Sequence, residues 1–139
     1  MMPAKNLMSS VTRQAAWNVR HVATSRHAMT TYKVETENEF RDKVMNGGKP
    51  VVVEFTATWC RPCQKLLPSL EAAMQQADNE VDHARVDIDD LPGLAEEHKV
   101  NAVPTLLAVN KNGLVLDKLM GLQRNMDELA SFINKVKDY

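Results

Sequence analysis

What the chain lacks narrows it first. It has two cysteines in 139 residues, too few for the disulfide framework of a small secreted scaffold. No stretch approaches roughly 18 consecutive apolar residues, so no membrane-spanning helix is expected. There is no internal repeat and no low-complexity tract. Residues 1–34 contain no Asp or Glu, yet they hold five basic residues: Lys5, Arg13, Arg20, Arg26 and Lys33. The rest of the chain carries 12 basic and 18 acidic residues. A nucleic-acid-binding domain would carry its positive face on the fold itself, so a basic tail on an acidic body argues against that class. With 44% hydrophobic and 25% charged residues, what remains is one globular domain with a separate leader.

The leader is residues 1–30. Drawn as a helix, it gathers Leu7, Met8, Val11, Ala15, Val19 and Val22 on one face, with Arg13 and Arg20 opposite. A secretory signal needs an apolar core of about 7–15 residues, and the longest apolar run here is Ala15-Ala16-Trp17. An Arg-rich, acid-free, amphipathic N-terminus is the composition of an organelle transit peptide. It predicts import into the mitochondrial matrix and cleavage between Arg20 and Thr31. Residues 31–139 are the expected folded domain.

Elements follow from periodicity and breakers. Thr31–Glu35 is β-prone. Thr36-Glu37-Asn38-Glu39 has the form of a capping box, predicting a helix with Phe40, Val44 and Met45 inward and Gly47-Gly48 at its end. Val51–Phe55 is an almost unbroken apolar run, suited to a strand buried on both faces. A helix from about Cys60 buries Leu66, Leu67, Leu70, Ala73, Met74 and Ala77, with Pro68 expected to kink it without ending it. Val81–Asp87 reads as a strand and Pro92–His98 as a short helix. Thr105–Val109 and Leu114–Leu119 flank Asn110-Lys111-Asn112-Gly113, a hairpin signal. Met126, Leu129, Phe132, Ile133 and Val136 close the chain as a helix, with Asn125 and Glu128 as cap residues. The order predicts an α/β fold: a central mixed sheet with helices on both faces.

Chemistry concentrates at Trp59-Cys60-Arg61-Pro62-Cys63, where the most buried strand hands over to a helix. Cysteines at i and i+3 on a first helical turn lie about 5–6 Å apart, within disulfide range. Cys60 at the helix N-terminus is favoured as thiolate. Cys63, one turn in, is expected to be more buried and less ionised. Cys60 then attacks a partner disulfide, and Cys63 resolves the mixed disulfide. Pro62 is tolerated because a first-turn N–H has no helical acceptor. Two other readings stay open here: half of a zinc site, or a pair of inert buried thiols. Zinc needs four ligands, and beyond the leader only His83 and His98 add to the cysteines. Neither has metal-ligand spacing, so no metal site is expected and both histidines read as surface residues.

These residues resemble the thioredoxin family, most of all its mitochondrial members. Trp59-Cys60-x-Pro62-Cys63 is similar to the family's active-site motif, Val103-Pro104-Thr105 to its cis-proline loop, and Lys111-Asn112-Gly113 to its hairpin. The likeness spans residues 31–139 and implies the thioredoxin fold. It implies that Glu54 is a buried carboxylate that deprotonates Cys63; most relatives carry Asp there. Arg85 falls where a lysine often stands near that carboxylate. Trp59, Val103, Pro104 and Gly121, with Met120, would form an apolar patch for docking target segments. Thr56 takes a strand-end position that is usually aromatic, a change expected to loosen packing beside the site.

The function implied is a protein-disulfide reductase with no bound cofactor, serving redox homeostasis in mitochondria. Its electrons would come from NADPH through thioredoxin reductase, and its clients would be peroxiredoxins and other disulfide-containing proteins. The alternative is a redox-gated module that binds a partner through the same Cys60/Cys63 patch. A third reading is an oxidase or isomerase, raised by Arg61 where relatives usually have glycine. A permanent cation beside Cys60 favours its thiolate and raises the reduction potential by something on the order of 10–35 mV. That is far short of the roughly 150 mV between a thioredoxin and a strong oxidant. The chain is expected to remain a reductase.

Overall fold

The β-branched run before Cys60 becomes the middle of the sheet. In the computed structural model, which describes residues 30–77, 80–121 and 125–137, β1 is Thr31–Lys33 and β2 is Val51–Thr56. β3 is Asp82–Asp87, β4 is Thr105–Val109 and β5 is Val115–Met120. All six residues of β2 are buried. It pairs with β3 in parallel and with β4 antiparallel, and the five strands lie in the order β1-β3-β2-β4-β5. This is the expected mixed sheet. All but the last residue of the expected leader lies outside the described residues.

Side chains alternate across a strand, and here the two faces build two cores. Val51, Val53 and Phe55 point to one side, where they pack with Phe40, Val44, Leu94 and Ala95. Those partners come from α1 (Glu37–Phe40), the π-helical turn Arg41–Met45 that continues it, and α3 (Pro92–Glu97). Val52, with Leu106 and Ala108 of β4, faces the other way onto α2 (Arg61–Gln76) and α4 (Met126–Lys137). There the helices contribute Leu66, Leu70, Ala73, Met74, Leu129, Phe132 and Ile133. α2 runs on through Pro68, which sits on its exposed side.

Local signals mostly act as read. Thr36 caps α1, its hydroxyl accepting from Glu39 N–H at 3.0 Å. The reciprocal half of the box is displaced by one residue: the Glu39 carboxylate accepts from Glu35 N–H at 2.7 Å. Asn125 caps α4 by accepting from Glu128 N–H at 2.8 Å. The β4–β5 turn is longer than its Asn-Gly signal suggests. The Asn110 carboxamide accepts from both Asn112 N–H and Leu114 N–H, which holds Leu114 in the turn and delays β5 to Val115.

His83 departs from its expected surface position, and His98 is half-buried. His83 is 0% exposed, because its place in β3 points it to the face that α2 covers. His98 follows α3 and packs its ring against Phe40 and Phe55, with centroids 5.4 and 6.0 Å apart. Burial pushes the His98 imidazole below its ordinary pKa of 6.5. Apolar periodicity could not reveal either site, since a histidine breaks the pattern whichever way it points.

The hairpin also closes against α1's continuation. Gly113 has φ +79°, and an added Cβ would lie 2.2 Å from the Met45 carbonyl oxygen. Gly113→Ala therefore combines left-handed strain with a backbone clash and is expected to cost about 2 kcal/mol or more. The urea midpoint should fall with little change in slope. A midpoint equal to the parent's would show that this contact is not rigid.

Candidate active site

Parallel strands end on the same edge of a sheet, and that rule assembles the site. Thr56 at the end of β2 pairs with Asp87 at the end of β3. The segments leaving them, Ala57–Cys60 and Ile88–Asp90, therefore emerge side by side. α2 then starts at Cys60, its N-cap residue, with Arg61 and Pro62 exposed in its first turn. Cys60 and Cys63 are joined in a disulfide with their Cα atoms 5.4 Å apart. Cys60 Sγ also accepts from Cys63 N–H at 3.2 Å.

Each sulfur is bonded to the other in this form. Among the described residues, no group of three or more His, Cys, Asp or Glu side chains is placed to share a metal ion. One expectation fails: Cys63 is not the more buried partner. The two cysteines are 2% and 3% exposed, both packed with Ala57, Ile88 and Val103. In the disulfide form their difference is one of helix position, since only Cys60 occupies the N-cap.

The wall around the bridge comes from distant sequence. Val103-Pro104 is a cis peptide, and Val103 packs against the cysteine pair. Thr105 pairs with Met120 across β4–β5, bringing Gly121 beside Pro104; Gly121 N–H donates to Pro104 O at 2.8 Å. Gly121 has φ +80°, and nothing lies within 4 Å of where a Cβ would stand. That glycine leaves open backbone facing solvent. Trp59 is 64% and Met120 65% exposed. Trp59 does not swing freely, for its indole N–H donates to Asp89 Oδ2 at 2.9 Å. Sequence reasoning misses Asp89. Its role follows from the acidic Asp87-Ile88-Asp89-Asp90 run leaving β3 on the same edge as Trp59.

The same two strands, β2 and β3, also carry ionisable side chains in contact with one another. Glu54 is 1% exposed and stands on the same sheet face as Val52. It pairs laterally with Arg85, whose Nε lies 3.4 Å from Glu54 Oε1. The Arg85 side chain is 40% exposed, so it joins the buried carboxylate to the surface. His83 Nε2 lies 3.6 Å from the other oxygen, Oε2. Nearby, Thr56 lines a cavity of about 190 Å³ with Lys33, Ala57, Thr58, Arg85 and Asp87. A small hydroxyl side chain at that strand end leaves space where an aromatic ring would fill it.

Comparison with known proteins converges on one family. The family model described as Thioredoxin matches residues 31–135. The mitochondrial thioredoxin of Mus musculus is 45% identical over 117 residues, covering 84% of this chain and 69% of its own. The probable thioredoxin-2 of Caenorhabditis elegans is 34% identical, covering 79% and 74%. Among solved structures, a mutant thioredoxin from Halobacterium salinarum superposes with a TM-score of 0.70 at 29% identity, over 81% of this chain and 96% of that one. A structure concerned with thiol resolution in a yeast mitochondrial 1-Cys peroxiredoxin by the glutathione and thioredoxin systems superposes with a TM-score of 0.62 at 28% identity, over 80% and 95%. With the paired cysteines at a helix start and the cis-proline loop against them, this chain belongs to the thioredoxin family.

Proposed function

We propose that the chain is a protein-disulfide reductase working by dithiol–disulfide exchange. The observation that carries this reading is the Cys60–Cys63 bridge at the start of α2, ringed by exposed Trp59 and Met120. In the dithiol form, Cys60 as N-cap faces the unpaired N–H groups of the first turn, which favour its thiolate. That thiolate attacks one sulfur of a target disulfide. A mixed disulfide forms, and the target's other sulfur leaves as a thiolate. Glu54 takes the proton of Cys63. The Cys63 thiolate then attacks the Cys60 sulfur, the Cys60–Cys63 bond forms, and the reduced target departs. Two electrons have passed from the dithiol to the target, with no bound cofactor taking part.

Target segments dock on Trp59, Val103, Pro104, Met120 and Gly121, where open backbone suits an extended chain. The dithiol is restored by thioredoxin reductase with electrons from NADPH, the recycling route of this family. Peroxiredoxins and other disulfide-bearing proteins are the clients, a reading supported by the peroxiredoxin theme of one structural neighbour. Full-length protein with thioredoxin reductase, NADPH and insulin tests the scheme. Cys60→Ser should abolish turnover, while Cys63→Ser should accumulate a mixed disulfide visible by mass. A Cys60→Ser protein reducing insulin at the parental rate would refute the mechanism.

The working site is the mitochondrial matrix, reached through residues 1–30 as a transit peptide. The acid-free, Arg-containing leader and the mitochondrial relatives support this. Residues 1–32 fused to a fluorescent protein should direct it to mitochondria, and a cytosolic fusion would remove the assignment.

Arg61 tunes the exchange. It stands exposed beside Cys60, so water screens it and holds its effect toward the lower end, about 10 mV. Arg61→Gly should raise the Cys60 thiol pKa and lower the potential by that amount, close to a twofold change in the glutathione equilibrium. The difference should shrink at high salt. If pKa and potential both match the parent's at low salt, the charge has no redox role.

A further inference from the structure

One wholly buried titratable side chain has no part in the chemistry above. His83 lies near the start of β3, between Thr31 of β1 and Val52 of β2, and neither ring nitrogen has a hydrogen-bond partner. An imidazole left this way is costly to bury, and an apolar residue would fill the site more cheaply. Its Nε2 stands 3.6 Å from the carboxyl oxygen Oε2 of Glu54. That oxygen is itself unpartnered. The distance is too long for a hydrogen bond, yet a shift of a few tenths of an ångström would close it.

The surroundings restrict what else His83 can answer to. Along its own strand, on the same face, stands Arg85, which addresses the other Glu54 oxygen. From β1 the charged side chain on this face is Lys33, held by Asp90 at 3.1 Å and by Glu35 at 4.0 Å. Asp82, next to His83 in β3, alternates to the opposite face. The buried residues of α2 are Cys63, Leu66, Leu70, Ala73 and Met74, and those of α4 are all apolar. Among the described residues, Glu54 is thus the acid that His83 faces.

We propose that His83 is a positioning residue that shares a proton with Glu54 during the resolving step. The inference rests on the reading of Glu54 as the base for Cys63. Cys63 gives its proton to the Glu54 carboxylate, and the proton moves on from Oε2 to His83 Nε2. Glu54 is then ionised again, between the imidazolium and Arg85. The Cys63 thiolate attacks Cys60, the Cys60–Cys63 bond forms, and the bond from Cys60 to the target's sulfur breaks. The target leaves as a thiolate and is protonated by water. When the bridge is next reduced, the proton returns from His83 through Glu54 to Cys63. No electron acceptor beyond the target disulfide is needed, and histidine is the side chain suited to hold such a proton near neutrality.

Rapid mixing of the reduced full chain with 5,5′-dithiobis(2-nitrobenzoate) tests this, because Cys60 and Cys63 are its only thiols. The first thionitrobenzoate released reports attack by Cys60, and the second reports attack by Cys63. His83→Gln should slow the second phase relative to the first by about tenfold at pH 6, moving its acidic limb up by about one pH unit. In a Glu54→Gln background the same substitution should add nothing. A His83→Gln profile that overlays the parent's, or an equal effect without Glu54, would overturn the role of His83. If instead Glu54→Gln leaves the second phase and its pH profile as in the parent, the base itself is misassigned and the relay falls with it. Should His83→Gln not fold, ¹⁵N imidazole shifts of the unaltered protein decide. His83 titration curves that differ between dithiol and disulfide forms support the relay, and identical curves refute it.

Discussion

Burial of β2 on both faces is the constraint from which the other features follow. A strand with every residue covered needs a sheet neighbour on each edge and a helical layer on each face. β3 and β4 supply the edges, while α1 with α3, and α2 with α4, supply the faces. Each buried Val or Phe along it contributes about 1.5–3 kcal/mol on leaving water, so its position is firmly held. Whatever emerges from its end inherits that firmness. The Ala57–Cys60 connection starts from a fixed point, and the first turn of α2 can therefore carry two cysteines at bonding distance.

The same constraint explains how apolar and ionisable side chains are sorted along the sheet. Parallel pairing of β2 with β3 sends both chains out over one edge, where Trp59 meets Asp89. Antiparallel pairing of β2 with β4 brings the start of β4, and with it Pro104, to that edge as well. Three connections, with the end of β5 at Met120 and Gly121, thus converge on one end of the sheet. Further in, alternation along β2 and β3 stacks Glu54, His83 and Arg85 on one face. Only Arg85 of the three reaches water, and it also lines the cavity beside Thr56.

Most of the architecture was legible because it depends on patterns that sequence carries openly. The valine run, the helical spacing of Leu66, Leu70, Ala73 and Met74, and the caps at Thr36 and Asn125 are local signals. The cysteine pair and Pro104 were legible through motif. What escaped depends on which face a polar residue meets once strands have paired. His83 carries the same letter whether it lies on solvent or against Glu54, and only the β2–β3 register decides. Asp89 gained its role through a contact spanning 30 residues. The one-residue delay of β5 came from a side chain, Asn110, taking backbone donors that strand periodicity assigns elsewhere. The matching burial of Cys60 and Cys63 reflects the bridge itself, a covalent state that spacing permits without specifying.

Glu54 and His83 sit where the fold has least need of them. A buried ionisable pair seldom stabilises a protein more than well-packed apolar side chains of the same volume. Val52, Leu106 and Ala108 share this face with the pair, so apolar side chains would suit much of the site better. The arrangement also leaves Glu54 Oε2 and both His83 nitrogens without hydrogen bonds, which adds to the cost of burying them. Local rules of packing are broken at this one layer of the sheet and kept in the layers around it. Such a break is the pattern expected where buried groups serve chemistry, as proposed for Glu54 and His83. The surrounding apolar layers hold β2 and β3 in register around this ionisable pair.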